Sequence, residues 1–391
     1  MLNLVDCNST IEPIDWLLRS FLDRQRCYQQ DILQTNQHDI TAPNHGLAAS
    51  GEDSEELIMD ESHPQLQTSI TVSETTTRKI ALEEHFSIQE LLPTAKDVEF
   101  FDPQVLSRIE ELLPDLAEQR LINMDKAGVE IAVLSQTAPG IQAIHDTVEA
   151  SALASRCNDA LHLAIQKQPR RFRGFAALNL LNVENACAEL RRCVNELGFV
   201  GALVNGSTQG EYLDHQRMKP LWMTLEQLDV PLYLHPGLPT DQPSSMVKEL
   251  DGATWGWSID TATHALRLIV KGVFDNHPNA RVILGHMGEN LPFYLWRLDS
   301  RYATTRYRNN ISTTPSAVFK RHFFITTSGV CNDASLQCSI DTLGPERIMF
   351  STDYPYEDIE LAGRWIEQAP IDPRARKLIC RDTAQSLLRL G

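Results

Sequence analysis

Short apolar runs recur along the chain from Lys79 onward, separated by stretches of helical periodicity. The eight runs are Ile80–Leu82, Ile131–Leu134, Gly174–Leu178, Phe199–Val204, Val230–Leu234, Val282–Leu284, Phe323–Thr326 and Ile348–Ser351. Continuous apolar character marks strands buried on both faces, as in a parallel sheet covered by helices. Between them, Glu184–Leu197 and Asp260–Pro278 carry apolar residues at the spacing of amphipathic helices. Gly198 and the His277–Pro278 pair predict where those helices stop. Strands alternating with helices predict an α/β fold, and eight such units predict a closed TIM-type (β/α)8 barrel rather than an open doubly wound sheet. No GxGxxG or GxxxxGK[ST] phosphate loop supports the open alternative.

Residues 1–78 have a different character. They hold thirteen acidic and four basic residues. Ala42 to Arg78 is rich in Ser, Thr, Gly, Glu and Gln with almost no aromatics, a composition that buries too little apolar surface to order a chain. Trp16, Leu17, Leu18, Phe21, Leu22 and Ile32 outline a short amphipathic helix within Asp15 to Leu33. The expected organisation is an acidic, largely disordered extension over 1–78 and a barrel over 79–391.

Charge narrows the function classes. The net charge of −17, from 35 basic and 52 acidic residues, excludes nucleic acid and anionic membranes as partners. No uncharged apolar run is long enough to span a bilayer. The N-terminal MLNLVDCNSTIEPIDW lacks the basic start of a secretory signal. The eight cysteines form no CxxC pair, which suits reduced thiols and a cytoplasmic protein.

The candidate chemistry sits where the apolar runs end. Glu83 and His85 follow KIAL, His235 follows VPLYL, His286 follows RVILG and Asp353 follows RIMFST. Barrel enzymes keep their reactive groups at the C-terminal ends of the strands. Alternation places Glu83 and His85 on one face and Glu84 on the other. With His235 and Asp353 they form a His/carboxylate set suited to zinc, manganese or another divalent ion, with positions left open. A lone histidine at such a place is ordinarily structural, but convergence of these residues points to a site. Glu289, three residues after His286, is placed either to orient that imidazole or to cap a helix. Trp255 and Trp257 are candidates for stacking on a flat ligand, with core packing as the alternative. Arg297 is a candidate partner for a substrate carboxylate, with a surface ion pair as its alternative. The chain has no GxSxG, and no cysteine ends these strands, so covalent catalysis has little support.

KIALEEHF, ELGFVGALVNG, VPLYLHP, VILGHMGENLPFYLWR, ITTSG and FSTDYPYE together resemble the amidohydrolase-related decarboxylases of ortho-hydroxybenzoic acids, which include the γ-resorcylate, salicylate and 2,3-dihydroxybenzoate decarboxylases. The resemblance runs from about Lys79 to near the C-terminus. It implies Glu83, His85, His235 and Asp353 around one divalent metal, zinc or manganese before magnesium, with His286 and Glu289 beside them. It also implies a homo-oligomer, a dimer or tetramer. No lysine stands near the end of the fourth strand to bridge a second ion, which favours a single metal. Where the resorcylate enzymes carry SLNAP, this chain has Ser135-Gln136-Thr137-Ala138-Pro139, so the ring substituents of the substrate do not carry over.

The expected reaction is metal-dependent, non-oxidative decarboxylation of a salicylate-, dihydroxybenzoate- or orsellinate-like acid to a phenol and CO2. Asp353 is the expected proton donor to the ring, reloaded by His286 with Glu289, and Arg297 is a second-tier holder of the carboxylate. The alternative is a metal-dependent hydrolase of a lactone or amide using the same residues. A barrel that binds an aromatic acid without turnover is the third reading, distinguished by lack of metal.

Overall fold

The computed structural model describes residues 77–93, 101–238 and 246–390. The expected disorder and amphipathic helix of the N-terminal extension fall, but for its last two residues, outside them. Eight parallel strands pair in sequence order. They are β1 (Lys79–Phe86), β2 (Val129–Gln136), β3 (Phe172–Ala177), β4 (Gly201–Asn205), β5 (Leu232–His235), β6 (Val282–Leu284), β7 (Phe323–Thr326) and β8 (Ile348–Met349). The ring is drawn together just beyond β8, where Asp353 N–H donates to the Glu83 carbonyl (3.1 Å) and His85 N–H to the Tyr354 carbonyl (2.7 Å). The chain is thus the TIM-type barrel that the apolar runs predict, with β6 and β7 matching their runs end for end.

The strands read as unbroken apolar runs because both faces are buried, each in its own core. In β5, Leu232 and Leu234 join the layer between strands and helices, while Tyr233 joins the cluster inside the bore. Ile80, Leu82, Ile131, Val133, Phe175, Leu203, Ile283 and Met349 fill the rest of the bore. Its lower end is plugged by Ala384, Leu387, Leu388 and Leu390. This packed interior leaves only the C-terminal rim for chemistry.

The helices that matter for the rim are α1 (Val183–Asn195), α2 (Lys219–Leu228), α3 (Gly256–Val270) and α4 (Leu291–Tyr302). The first matches Glu184–Leu197 to within two residues. The second predicted span, Asp260–Pro278, departs from what is observed. Its helix starts four residues earlier and stops at Lys271, because Gly272 takes a left-handed φ of 69° and a separate short turn, Val273–Asn276, follows. Among the described residues no helix is long and apolar enough to cross a membrane.

Candidate active site

An irregularity in β1 decides which side chains face the bore. Strict alternation continued from the inward Ile80 and Leu82 would aim Glu84 inward. The pairing instead slips between Ala81, opposite Ala132, and Glu84, opposite Leu134. One extra residue in β1 turns the strand over, so Glu83 and His85 point into the bore and Glu84 away from it. Glu84 is buried there, accepting from Thr352 N–H (3.0 Å) and Thr352 Oγ1 (2.7 Å), and burial pushes its carboxyl up to about 8. It thereby ties β1 to the segment that carries Asp353.

Glu83, His85, His235 and Asp353 converge, with one ligand atom of each within 4.8 Å of every other. His235 Nε2 lies 3.1 Å from Glu83 Oε1, and His85 Nε2 lies 3.2 Å from Asp353 Oδ1. His235 Nδ1 faces two acceptors, the Pro236 carbonyl (2.7 Å) and Asn205 Oδ1 (2.9 Å), so that nitrogen carries the proton. Its Nε2 therefore presents a lone pair to a carboxylate lone pair. Buried Glu83 Oε1 and His85 Nε2 likewise have no hydrogen-bond partner. Lone pairs brought together in a dry pocket repel unless a cation lies among them. The four residues accordingly fit one divalent metal ion, and this donor set is of the kind that binds zinc or manganese.

His286 and Glu289 are brought beside this set by an unusual turn. His286, Met287, Gly288, Glu289 and Asn290 have φ of 48°, 55°, 74°, 53° and 63°, a left-handed run that costs roughly 1–2 kcal/mol for each non-glycine residue. The turn places His286 Nδ1 2.8 Å from Glu289 Oε1 and aims Nε2 at Glu83 (3.7 Å) and Asp353 (3.6 Å). Burial disfavours charge on His286, but Glu83, Glu289 and Asp353 outweigh it and hold the imidazole well above its ordinary range. Burial would raise Glu83, yet His286, His235 and His85 together hold it far below the usual carboxylate range. Asp353 is also held low, its burial outweighed by the imidazoles of His286 and His85 beside it. Burial keeps His85 neutral, as a metal ligand must be.

Above the four ligands opens a cavity of about 200 Å³, walled by Thr137, Trp257, Val330, Tyr356 and Glu357 together with His235, His286 and Asp353. Tyr356 is fixed by Thr137 (2.6 Å between hydroxyls) and by Phe101, stacked at 5.8 Å. A larger groove of about 460 Å³ lies along α2 and α3 on the outer flank and gathers none of these residues.

Not every sequence candidate arrives here. Trp257 lines the cavity; Trp255 is 44% exposed and lies outside its wall. Arg297 is exposed and also absent from the wall. Buried Leu291 and Leu295 anchor α4 on one side and turn Arg297 out with Phe293 and Trp296. Conversely, sequence reasoning passed over four residues that shape the site. Asn205 holds His235. Tyr233 and Thr326 reach Glu83 Oε2 from across the bore. Gly285 leaves room for the Glu83 carboxylate, since a Cβ there would stand 2.5 Å from Oε2 and 2.9 Å from Oε1. Tyr233 carried a readable signal, lying two residues before His235 and so on the same face.

Residues 104–390 match the amidohydrolase family model. The chain is 44% identical over 332 residues to the gamma-resorcylate decarboxylase of Polaromonas sp. strain JS666, spanning 80% of this chain and 99% of that protein. It is similar to the crystal structure of a 2,6-dihydroxybenzoate decarboxylase complexed with 2,6-dihydroxybenzoate, at 41% identity and a TM-score of 0.76, covering 80% of this chain and 99% of the other. A dihydroxybenzoic acid decarboxylase structure from Polaromonas sp. JS666, with bound manganese and the inhibitor 2-nitroresorcinol, is 41% identical with a TM-score of 0.74, covering 80% and 97% of the two chains.

Proposed function

The chain belongs to the amidohydrolase family and to its decarboxylase branch, and on that premise we propose that it removes CO2 from an ortho-hydroxy aromatic acid by metal-dependent, non-oxidative decarboxylation. Salicylate-, dihydroxybenzoate- and orsellinate-like acids are the substrate class. The observation that carries this reading is Asp353, which belongs at once to the metal set and to the wall of a ring-sized cavity. For scale, an engineered apolar cavity of about 150 Å³ holds one benzene. The similarity to decarboxylases rather than to lactone- or amide-cleaving enzymes leaves the hydrolytic alternative with less support.

Glu83, His85, His235 and Asp353 would hold the ion, with zinc or manganese favoured over magnesium by the two imidazoles. A bound divalent cation would supply positive charge for the carboxylate and ortho-oxygen of the substrate. The protein's own residues do the rest. Loss of CO2 without prior protonation would leave an aryl anion, so the ring carbon bearing the carboxylate first takes a proton from Asp353, which is ionised at rest and receives that proton from His286. The carbon–carbon bond then breaks, its electron pair returns to the ring, and CO2 departs. His286, kept cationic and oriented by Glu289, returns a proton to Asp353 across 3.6 Å. Trp257 and Tyr356 offer flat walls for the ring.

Phe293 and Trp296, each 80% exposed, support a homo-oligomer, since aromatic groups of this size left in water ordinarily mark an interface. The six cysteines among the described residues are free thiols, which suits the cytoplasm. The test of the proton-donor role is Asp353→Asn, expected to lower kcat by about 10²–10⁴-fold while an ortho-hydroxy acid still binds. Turnover close to that of the natural chain would remove Asp353 from that role.

A further inference from the structure

Glu83 offers its two oxygens to two different environments. Oε1 faces the imidazoles of His235 and His286. Oε2 faces down into the bore, where it accepts a hydrogen bond from Tyr233 Oη and lies 3.4 Å from Thr326 Oγ1. Tyr233 comes from β5 and Thr326 from the last position of β7, so the carboxylate of β1 is clamped from across the barrel. Tyr233 and Thr326 are both 0% exposed, and their hydroxyls are 2.8 Å apart. The tyrosine has one proton and spends it on Glu83. The threonine proton is then directed to Tyr233 Oη, giving a chain that runs Thr326 to Tyr233 to Glu83. Each bond in such a dry chain polarises the next.

We propose that Tyr233 and Thr326 are positioning residues for the metal centre: they hold Oε2 in the bore, so that Glu83 presents Oε1 alone to the ion. Neither hydroxyl lines the substrate cavity or touches the reacting atoms. Without them Glu83 is free to turn and offer both oxygens or neither, and the ion loses a ligand of fixed direction. Partners that orient a metal ligand typically matter by 10–100-fold in metal affinity. The inference rests on the metal-site reading above.

The test is the affinity of the metal-stripped full-length chain for Mn2+ alone, measured by the free-ion electron paramagnetic resonance signal, alongside thermal unfolding of the same metal-free samples. Tyr233→Phe keeps the ring and removes the hydroxyl, and it should raise the Mn2+ Kd about 10–100-fold. Thr326→Val should raise it less, and Thr326→Ser, which keeps the hydroxyl, should restore it. Should Tyr233→Phe not fold, the valine–serine contrast at 326 still decides. Variants that are destabilised without metal yet bind Mn2+ as tightly as the natural chain would show a purely structural role and overturn the proposal. Failure of the natural chain itself to take up Mn2+ would instead overturn the metal-site reading.

Discussion

Adding one methyl group at Gly285 should disable the centre without touching any ligand. Gly285 has an ordinary φ of −70°, so alanine is permitted by the backbone and the effect must come from contact. The new Cβ would sit 2.5 Å from Glu83 Oε2, 2.9 Å from Oε1 and 3.1 Å from the carboxyl carbon. Glu83 is fully buried, held on Oε2 by Tyr233 and hemmed in at Oε1 by His235, so it has no free direction in which to retreat. Relief needs a displacement of about 1 Å, and a misplacement of that size in a catalytic array costs on the order of 10²-fold in rate. Gly285→Ala should therefore fold, yet lose roughly 10²-fold or more in kcat/KM together with most of its metal. Metal content by elemental analysis, decarboxylation kinetics and circular dichroism on one preparation make the assay. A well-folded Gly285→Ala with full metal occupancy and undiminished kcat/KM would refute the steric argument and the place given to Glu83.

Glu289→Gln exchanges the anionic partner of His286, 2.8 Å away, for a neutral one, and should lower kcat roughly tenfold or more while metal content holds; unchanged kcat would contradict the reloading role. A chain truncated to begin at Thr77 should keep its kcat/KM, because the matched motifs begin at Lys79, and an insoluble or inactive product would show that the extension is needed. His264 accepts a hydrogen bond from Leu213 N–H at 2.9 Å, and burial, reinforced by Arg267, pushes its pKa down to about 3 from an ordinary 6.5. The unfolded chain then binds a proton that the folded chain refuses, so stability falls as pH drops from about 6.5 towards 3, by on the order of 2 kcal/mol at pH 5. Denaturant unfolding at pH 7.5 and pH 5 should show that loss, and His264→Gln should remove it; equal pH sensitivity in both would refute the assignment.

What the sequence disclosed and what it hid have physical reasons. Glu83, His85, His235, His286 and Asp353 were legible because a charged or imidazole group at the end of a doubly buried strand has nowhere to go but the rim. The inward aim of Glu83 was reached by pairing it with His85, whereas the cause, a bulge between Ala81 and Glu84, leaves no mark in composition. Tyr233 and Thr326 hid because tyrosine and threonine are ordinary strand residues, and only their register with His235 and Glu83 gives them meaning. Gly285 hid among glycines that need no explanation. Among the sequence candidates, Arg297 is offered as a partner for a substrate carboxylate. Helical spacing speaks against this: Leu291, Leu295 and Leu298 mark the inner stripe of α4, with Leu291 and Leu295 buried and Leu298 packed on the core, and Arg297 falls off it.

Protonation of a ring carbon and release of CO2 at a single metal is the reaction proposed for this barrel. It is tested most directly by incubating the Mn2+-loaded chain with 2,6-dihydroxybenzoate and related ortho-hydroxy acids in deuterated water. The expected result is equal amounts of CO2 and phenol, one deuterium at the carbon that lost the carboxylate, one metal ion per active chain, and no reaction with para-hydroxybenzoate. Absence of CO2 from every ortho-hydroxy acid, with opening of a lactone or amide under the same conditions, would contradict it.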